Sequence, residues 1–176
     1  MNGYENINRV CGFYVSSMHL VTMLLPFIRK QLGLNIGISI FSENNLKENA
    51  EIVTSKLMVE NNNITKLDWT DKNGYKYSEI DMELKNILGK NKEVNIFITG
   101  NEKYIKAVNE NINKFLIKNS KKIKNKYVTI INCYEVSQFN DNIKEILDTH
   151  NMILNTSGIH KISEVFEGFK KVGNNN

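Results

Sequence analysis

Proline is almost absent from this chain: Pro26 is the one residue of that type in 176. Pro-rich linkers and polyproline docking segments are thereby excluded. Cysteine is nearly as scarce. Cys11 and Cys133 stand far apart, each inside an apolar run, so a disulfide framework is not expected and a reducing cytoplasm fits. The three histidines, His19, His150 and His160, are scattered. No C-x-x-C or H-x-x-x-H spacing joins them, so neither a metal site nor another cofactor is expected. The glycine-rich phosphate loop G-x-x-x-x-G-K-[ST] is missing too. Gly89-Lys90 lacks the upstream glycine and the hydroxyl residue. Gly100-Asn101-Glu102-Lys103 has one glycine and an acidic residue that would repel phosphate. Hydrolysis of ATP is therefore not expected.

Charge of one sign is also lacking. Lys and Arg number 23 against 19 Asp and Glu, a net charge of +4. The basic stretch Lys118–Lys126 has no interleaved aromatics and no helix-turn-helix beside it, so it reads as a solvated loop and nucleic acid is not an expected partner. The apolar stretch Val10–Ile28 has the length of a membrane span. Ser16, Ser17, His19 and Pro26 interrupt it, and no basic leader or small-residue cleavage site accompanies it. It reads as a buried strand followed by a buried helix, with no membrane role. Pairing Cys11 with His19, or Cys133 with His150, supplies the elements of a nucleophilic site. No nucleophile elbow surrounds either, so the chain is not expected to be an enzyme.

What is present is ordinary globular material: 41% hydrophobic and 24% charged residues, enough for one compact domain over 1–176. Apolar β-branched runs alternate with one-sided helical patterns. Strands are expected at Val10–Val15, Ile36–Phe41, Ile64–Trp69, Val94–Thr99, Val128–Tyr134 and Ile159–Ile162. Between them, helices are expected from Met18 to Leu32 (capped by Ser16 and Ser17, kinked or divided at Pro26, closed by Gly33), from Asn45 to Val59, from Ser78 to Leu88 and from a Thr99-x-x-Glu102 capping box to Lys118. Another follows the turn residues Gln138, Asn140 and Asp141, and a closing one spans Ser163–Val172. This alternation predicts an α/β fold with a largely parallel sheet and helices on both faces.

The most informative window is Tyr127–Leu154. Its strand, with Cys133 and Tyr134, leads through a polar turn into a helix whose inner stripe is Ile143, Ile146, Leu147 and, at the edge, His150. Two readings of His150 stay open: a buried, hydrogen-bonded histidine, or a ligand contact near the end of a strand–helix unit.

This window resembles the MEDS family, the methanogen/methylotroph DcmR sensory domain. The resemblance is carried by Cys133, Tyr134, Phe139, Ile146, Leu147 and Thr149-His150. It extends to Cys11–Tyr14 followed by Leu24–Ile28, and to Phe97–Asn101 followed by Ala107-Val108-Asn109. The chain departs from the family where members often have a histidine before the first strand, here Asn8 and Arg9. It departs again where a Gly-Glu pair precedes the second strand, here Leu34, Asn35 and Ile36. The resemblance implies a three-layer, RecA- or KaiC-like fold and a non-catalytic sensory or regulatory role.

In such a sheet, ligands settle outside the carboxyl ends of the strands. Candidates by position there are Tyr14, Ser16, Ser17, Glu43, Thr99, Asn101, Tyr134 and Glu135, with His19 and His150 on the adjoining helices. Tyr14, His19, Tyr134 and His150 are the expected ligand-binding residues, the tyrosines because each offers an apolar ring and a hydroxyl. The expected function is a stand-alone regulatory domain that binds a small molecule or a signalling protein, such as a histidine kinase or transcription regulator, with a homodimer as a further partner. The alternatives are a degenerate RecA-like nucleotide binder and a protein adaptor without ligand.

Overall fold

The computed structural model describes residues 6–43, 46, 48, 49 and 77–166. The helix expected over Asn45–Val59, the strand at Ile64–Trp69 and the end of the closing helix lie largely or wholly outside them. The described elements begin with β1 (Ile7–Tyr14), α1 (Ser17–Gly33), β2 (Gly37–Ser42), α2 (Tyr77–Lys90), β3 (Glu93–Thr99) and α3 (Glu102–Lys118). They continue with the one-turn α4 (Ser120–Ile123), β4 (Tyr127–Glu135), the short α5 (Val136–Phe139), a 3₁₀ turn at Asn140–Asn142 and α6 (Ile143–Thr149). β5 (Met152–Asn155), β6 (Gly158–Lys161) and α7 (Ile162–Val165) complete the set.

The strands form one sheet in the order β2-β3-β4-β1-β5-β6. All neighbours are parallel except β5 and β6, which form an antiparallel hairpin. The parallel, helix-covered sheet expected from the alternating pattern is the one the chain forms. Two cores flank it. On one face α2, α3 and α6 pack on Cys11, Ile96, Ile98 and Ile130. On the other, α1 packs on Val10, Phe97, Ile131 and Cys133. The period-2 alternation of side chains assigns neighbouring residues of one strand to opposite cores. It also separates the two cysteines. Cys11 pairs in register with Asn132, next to Cys133, yet the two thiols lie on opposite faces and form no disulfide.

Several local expectations are corrected. α1 is not divided at Pro26. The lost backbone hydrogen bond is outweighed by burial of Leu20, Val21, Leu24 and Leu25 before it and Ile28 after it. Gly33 does not close that helix. Asn35 does, in the left-handed region at φ 57°, with its N–H bonding Leu32 O at 3.1 Å and the Ile36 N–H reaching Gln31 O at 3.1 Å. Those two bonds are a Schellman closure, which asparagine supports nearly as well as glycine. The Thr99-x-x-Glu102 box does not form. Asn101 caps α3, its Oδ1 accepting from Tyr104 N at 2.9 Å, two residues beyond the expected cap Thr99.

The expected basic loop is partly the turn α4, and the expected polar turn after β4 is helical instead. Glu135 accepts from Ser137 Oγ at 3.2 Å and Gln138 Nε2 at 2.8 Å, while Phe139 is buried. Burying a phenylalanine is worth about 2 kcal/mol, enough to hold a four-residue helix that has no stability of its own. β5 is an addition to the expected strands. Its apolar core, Met152–Leu154, pairs with Val10–Gly12. No described helix is long and apolar enough to cross a membrane.

Candidate ligand-binding site

The helix after β1 leaves on one face of the sheet, and the helical segment after β4 leaves on the other. β1 and β4 are neighbours, so the sheet has its switch point between them, and a crevice opens at such a point. Two polar clusters flank it.

The first cluster lies at the ends of β1, β2 and β3. The Tyr14 hydroxyl and Thr99 Oγ1 are 3.1 Å apart and buried. Burial pushes the Tyr14 phenol above its ordinary value, against the opposing hydrogen bond to Thr99. Beside them Glu43 turns its carboxylate onto the start of α3, accepting from Asn101 N at 2.7 Å and Asn101 Nδ2 at 2.8 Å. A helix N-terminus attracts an anion through its free N–H groups and its dipole; here that anion is the chain's own. Gly100 makes the approach possible, with φ 155°. A Cβ there would lie 2.8 Å from both Glu43 Cβ and Tyr104 Cδ1. The cluster is closed: each side chain named in it has a partner within the chain.

His19 stands apart. Its Nδ1 accepts from Val15 N at 3.2 Å, and its own N–H is capped by Ser16 Oγ at 3.2 Å, so its ring serves the entry to α1. Ser17 begins that helix.

The second cluster surrounds a cavity of about 280 Å³ between α3, β4 and the α5–α6 segment. Its apolar wall includes Tyr134, Phe139, Ile105 and Ile146. Tyr134 stacks edge-on against Phe139 at 4.9 Å and against the His150 ring at 6.1 Å. Burial drives the Tyr134 phenol far above its usual range, and the Cys11 and Cys133 thiols push the same way. Tyr134 is therefore neutral, a donor as well as an acceptor.

The polar wall is a chain of side chains that crosses from β1 to α6. Arg9 donates to Asn109 Oδ1 at 3.3 Å and to Asn113 Oδ1 at 2.6 Å. Asn109 Nδ2 donates to Asn132 Oδ1 at 2.9 Å and to Ile105 O at 2.8 Å. Asn132 Nδ2 meets His150 Nε2 at 3.2 Å, and His150 Nδ1 meets Ile146 O at 2.7 Å. A carbonyl can only accept, so His150 carries its proton on Nδ1 and Nε2 accepts from Asn132. Each amide is oriented by the next, starting from a cation that can only donate. The chain holds His150 as one neutral tautomer.

Of the four residues expected to bind a ligand, the fold brings Tyr134 and His150 together in this cavity. It leaves Tyr14 in the closed cluster on the opposite core and His19 on the first turn of α1. Arg9, Asn109 and Asn132 are site residues that the sequence reading misses. One signal was available: Asn132 interrupts the apolar run Ile130-Ile131-Cys133 at a position whose neighbours in the strand are buried.

A wider cleft of about 520 Å³ opens at the amino ends of β3 and β4, between α1 and the β5–β6 turn. It holds none of the expected residues. Among the described residues, no group of three histidine, cysteine or carboxylate side chains gathers to hold a metal ion. No protein-family model matches the chain, and no curated protein shows significant similarity to it.

Proposed function

We propose that the chain is a regulatory domain that binds a small molecule between α3, β4 and α6 and passes the binding event to a partner protein. The observation that carries this reading is the cavity walled by Tyr134, Phe139 and the Asn132–His150 pair. Such a combination, apolar rings with a few fixed polar groups, is the usual make-up of a small-molecule site. Its size, near the lower end for such sites, suits a metabolite more than a nucleotide. Occupancy couples naturally to α6, because His150 closes that helix and its ring is hydrogen-bonded to Ile146 O. A ligand that engages Nε2 competes with Asn132 and biases the helix end, and a partner reading α6 receives the signal. A histidine kinase, a transcription regulator or a second copy of the chain fits that role.

The nucleotide alternative is weakened by Glu43. A phosphate at the start of α3 has to displace a carboxylate that already makes two hydrogen bonds there.

The test is a thermal-shift screen against metabolites, with ATP and GTP included. A ligand specific to the native state raises the midpoint by an amount set by its concentration relative to Kd. At least one small metabolite should stabilise the protein while nucleotides do not. Tyr134→Ala and His150→Ala should each remove the response. Full responses in both variants would place the ligand elsewhere, and stabilisation by nucleotides alone would favour the degenerate nucleotide binder.

A further inference from the structure

Arg9 is a half-buried cation on an interior strand, and it lines the cavity described above. Its two side-chain partners are neutral amides, Asn109 and Asn113. Among the described residues no carboxylate lies within ion-pair distance of it. A charge withdrawn from water without a counter-charge is costly. Burial lowers its pKa from the ordinary arginine value, but arginine remains cationic at neutral pH. A guanidinium has five N–H donors, and these two amides engage two of its nitrogens.

The remaining charges of the site are graded. Glu102, Lys106 and Glu145 are exposed and stand at the mouth. Two acids and one base leave a net charge of −1 there, and solvent screens their fields, whereas Arg9 acts from inside, where screening is weaker. The same cavity is lined by the rings of Tyr134 and Phe139 and the side chain of Ile146.

We infer that the ligand of this cavity is a small organic carboxylate, its carboxylate turned inward to Arg9 and its apolar body laid against Tyr134, Phe139 and Ile146. The inference rests on the regulatory reading above and specifies the ligand class for the same site. A planar guanidinium matches a carboxylate bidentately, and the bound anion would supply the counter-charge that Arg9 lacks among the described residues. The amide chain from Arg9 through Asn109 and Asn132 then links the anion's site to His150, the residue that closes α6.

Matched pairs test this at neutral pH: benzoate with benzamide, phenylacetate with phenylacetamide, hexanoate with hexanamide, each titrated calorimetrically into the full chain. In at least one pair the acid should bind about tenfold or more tightly than its amide. Arg9→Gln, which keeps a polar side chain but no charge, should erase that preference, while Arg9→Lys should keep part of it. Equal binding of acid and amide by the unmodified protein, or an acid preference that survives Arg9→Gln, overturns the inference and leaves the regulatory reading intact. If no acid binds at all the inference also falls, and the broad metabolite screen decides the regulatory reading on its own. Should Arg9→Gln fail to fold, the acid–amide comparison in the unmodified protein is decisive by itself.

Discussion

The two polar clusters beside the switch point are built from similar parts and end in opposite states. Each has a buried tyrosine, an asparagine at or near α3 and one charged side chain. In the Tyr14–Thr99 cluster the charge is Glu43, and it spends its hydrogen-bonding capacity on the start of α3. In the Tyr134–His150 cluster the charge is Arg9. Its side-chain partners are two neutral amides, and among the described residues no carboxylate answers its charge beside the cavity. The contrast indicates where a ligand would settle on a sheet of this kind. Proximity to the carboxyl ends of the strands is insufficient, because the chain can fill that position itself. An unanswered charge next to a cavity is the more informative mark.

Four measurements bear on the contrast between the clusters. The largest effect is expected at Gly100. Substitution to alanine combines an unfavourable φ with two 2.8 Å contacts, and should destabilise the protein by about 3 kcal/mol in urea unfolding. Because the closed cluster is structural, whatever folded Gly100→Ala protein remains should still give a ligand response at the other cavity.

Next comes Asn132→Leu, which removes the amide that joins Asn109 Nδ2 to His150 Nε2. A loss of about 2 kcal/mol is expected, and here the thermal response to ligand should vanish as well. A leucine variant of undiminished stability would mean that the amide chain is not a connected unit.

Glu43→Ala should cost about 1 kcal/mol by removing the carboxylate from the start of α3. Glu43→Gln should cost less, since its amide oxygen can still accept from Asn101 N. A neutral outcome for both would show that the closed cluster is not held by Glu43.

The last prediction concerns alkaline pH, where both clusters contribute. Burial raises Tyr14, Tyr134 and Cys133 above their ordinary values. A raised folded-state pKa means that the unfolded chain releases its proton first. The associated stability is fully present below the unfolded value and drains away as pH rises past it. For Cys133 the decline should begin near its ordinary value of 9.0, at roughly 1 kcal/mol per further pH unit. Urea midpoints measured between neutral pH and pH of about 10 should therefore fall, and Cys133→Ala should fall less steeply. Parallel slopes in the two proteins would show that the thiol ionises without unfolding.

Much of this architecture could be read directly from the residues. Alternating apolar runs and one-sided helices located β1, β2, β3 and β4 to within a few residues, and the stripe Ile143-Ile146-Leu147 placed His150 at its edge. Tyr134 was nominated by its ring and hydroxyl near a strand end. Short elements were less legible, since packing makes them: Phe139 fixes α5, and β5 exists because Val10–Gly12 offers it an edge. Caps moved by a residue or two because asparagine competed with the expected serine, threonine or glycine, at Asn35 and at Asn101 alike.

The cavity's polar wall was the least visible part. Arg9 and Asn109 are a hundred positions apart. Nothing local in either says that a strand and a helix will bring a guanidinium to an amide. Asn132 broke an apolar run in plain view, yet one strand cannot show which side chain on another element will answer it.

The sequence alone determined the layers, because hydrophobic periodicity is a local property that each segment carries into any fold. Tertiary structure alone decided which polar groups were answered within the molecule and which were left over. Hydrogen bonds and charges act between neighbours in space, and the order 2-3-4-1-5-6 sets those neighbours. It seats Glu43 on a helix start and leaves Arg9 facing a cavity.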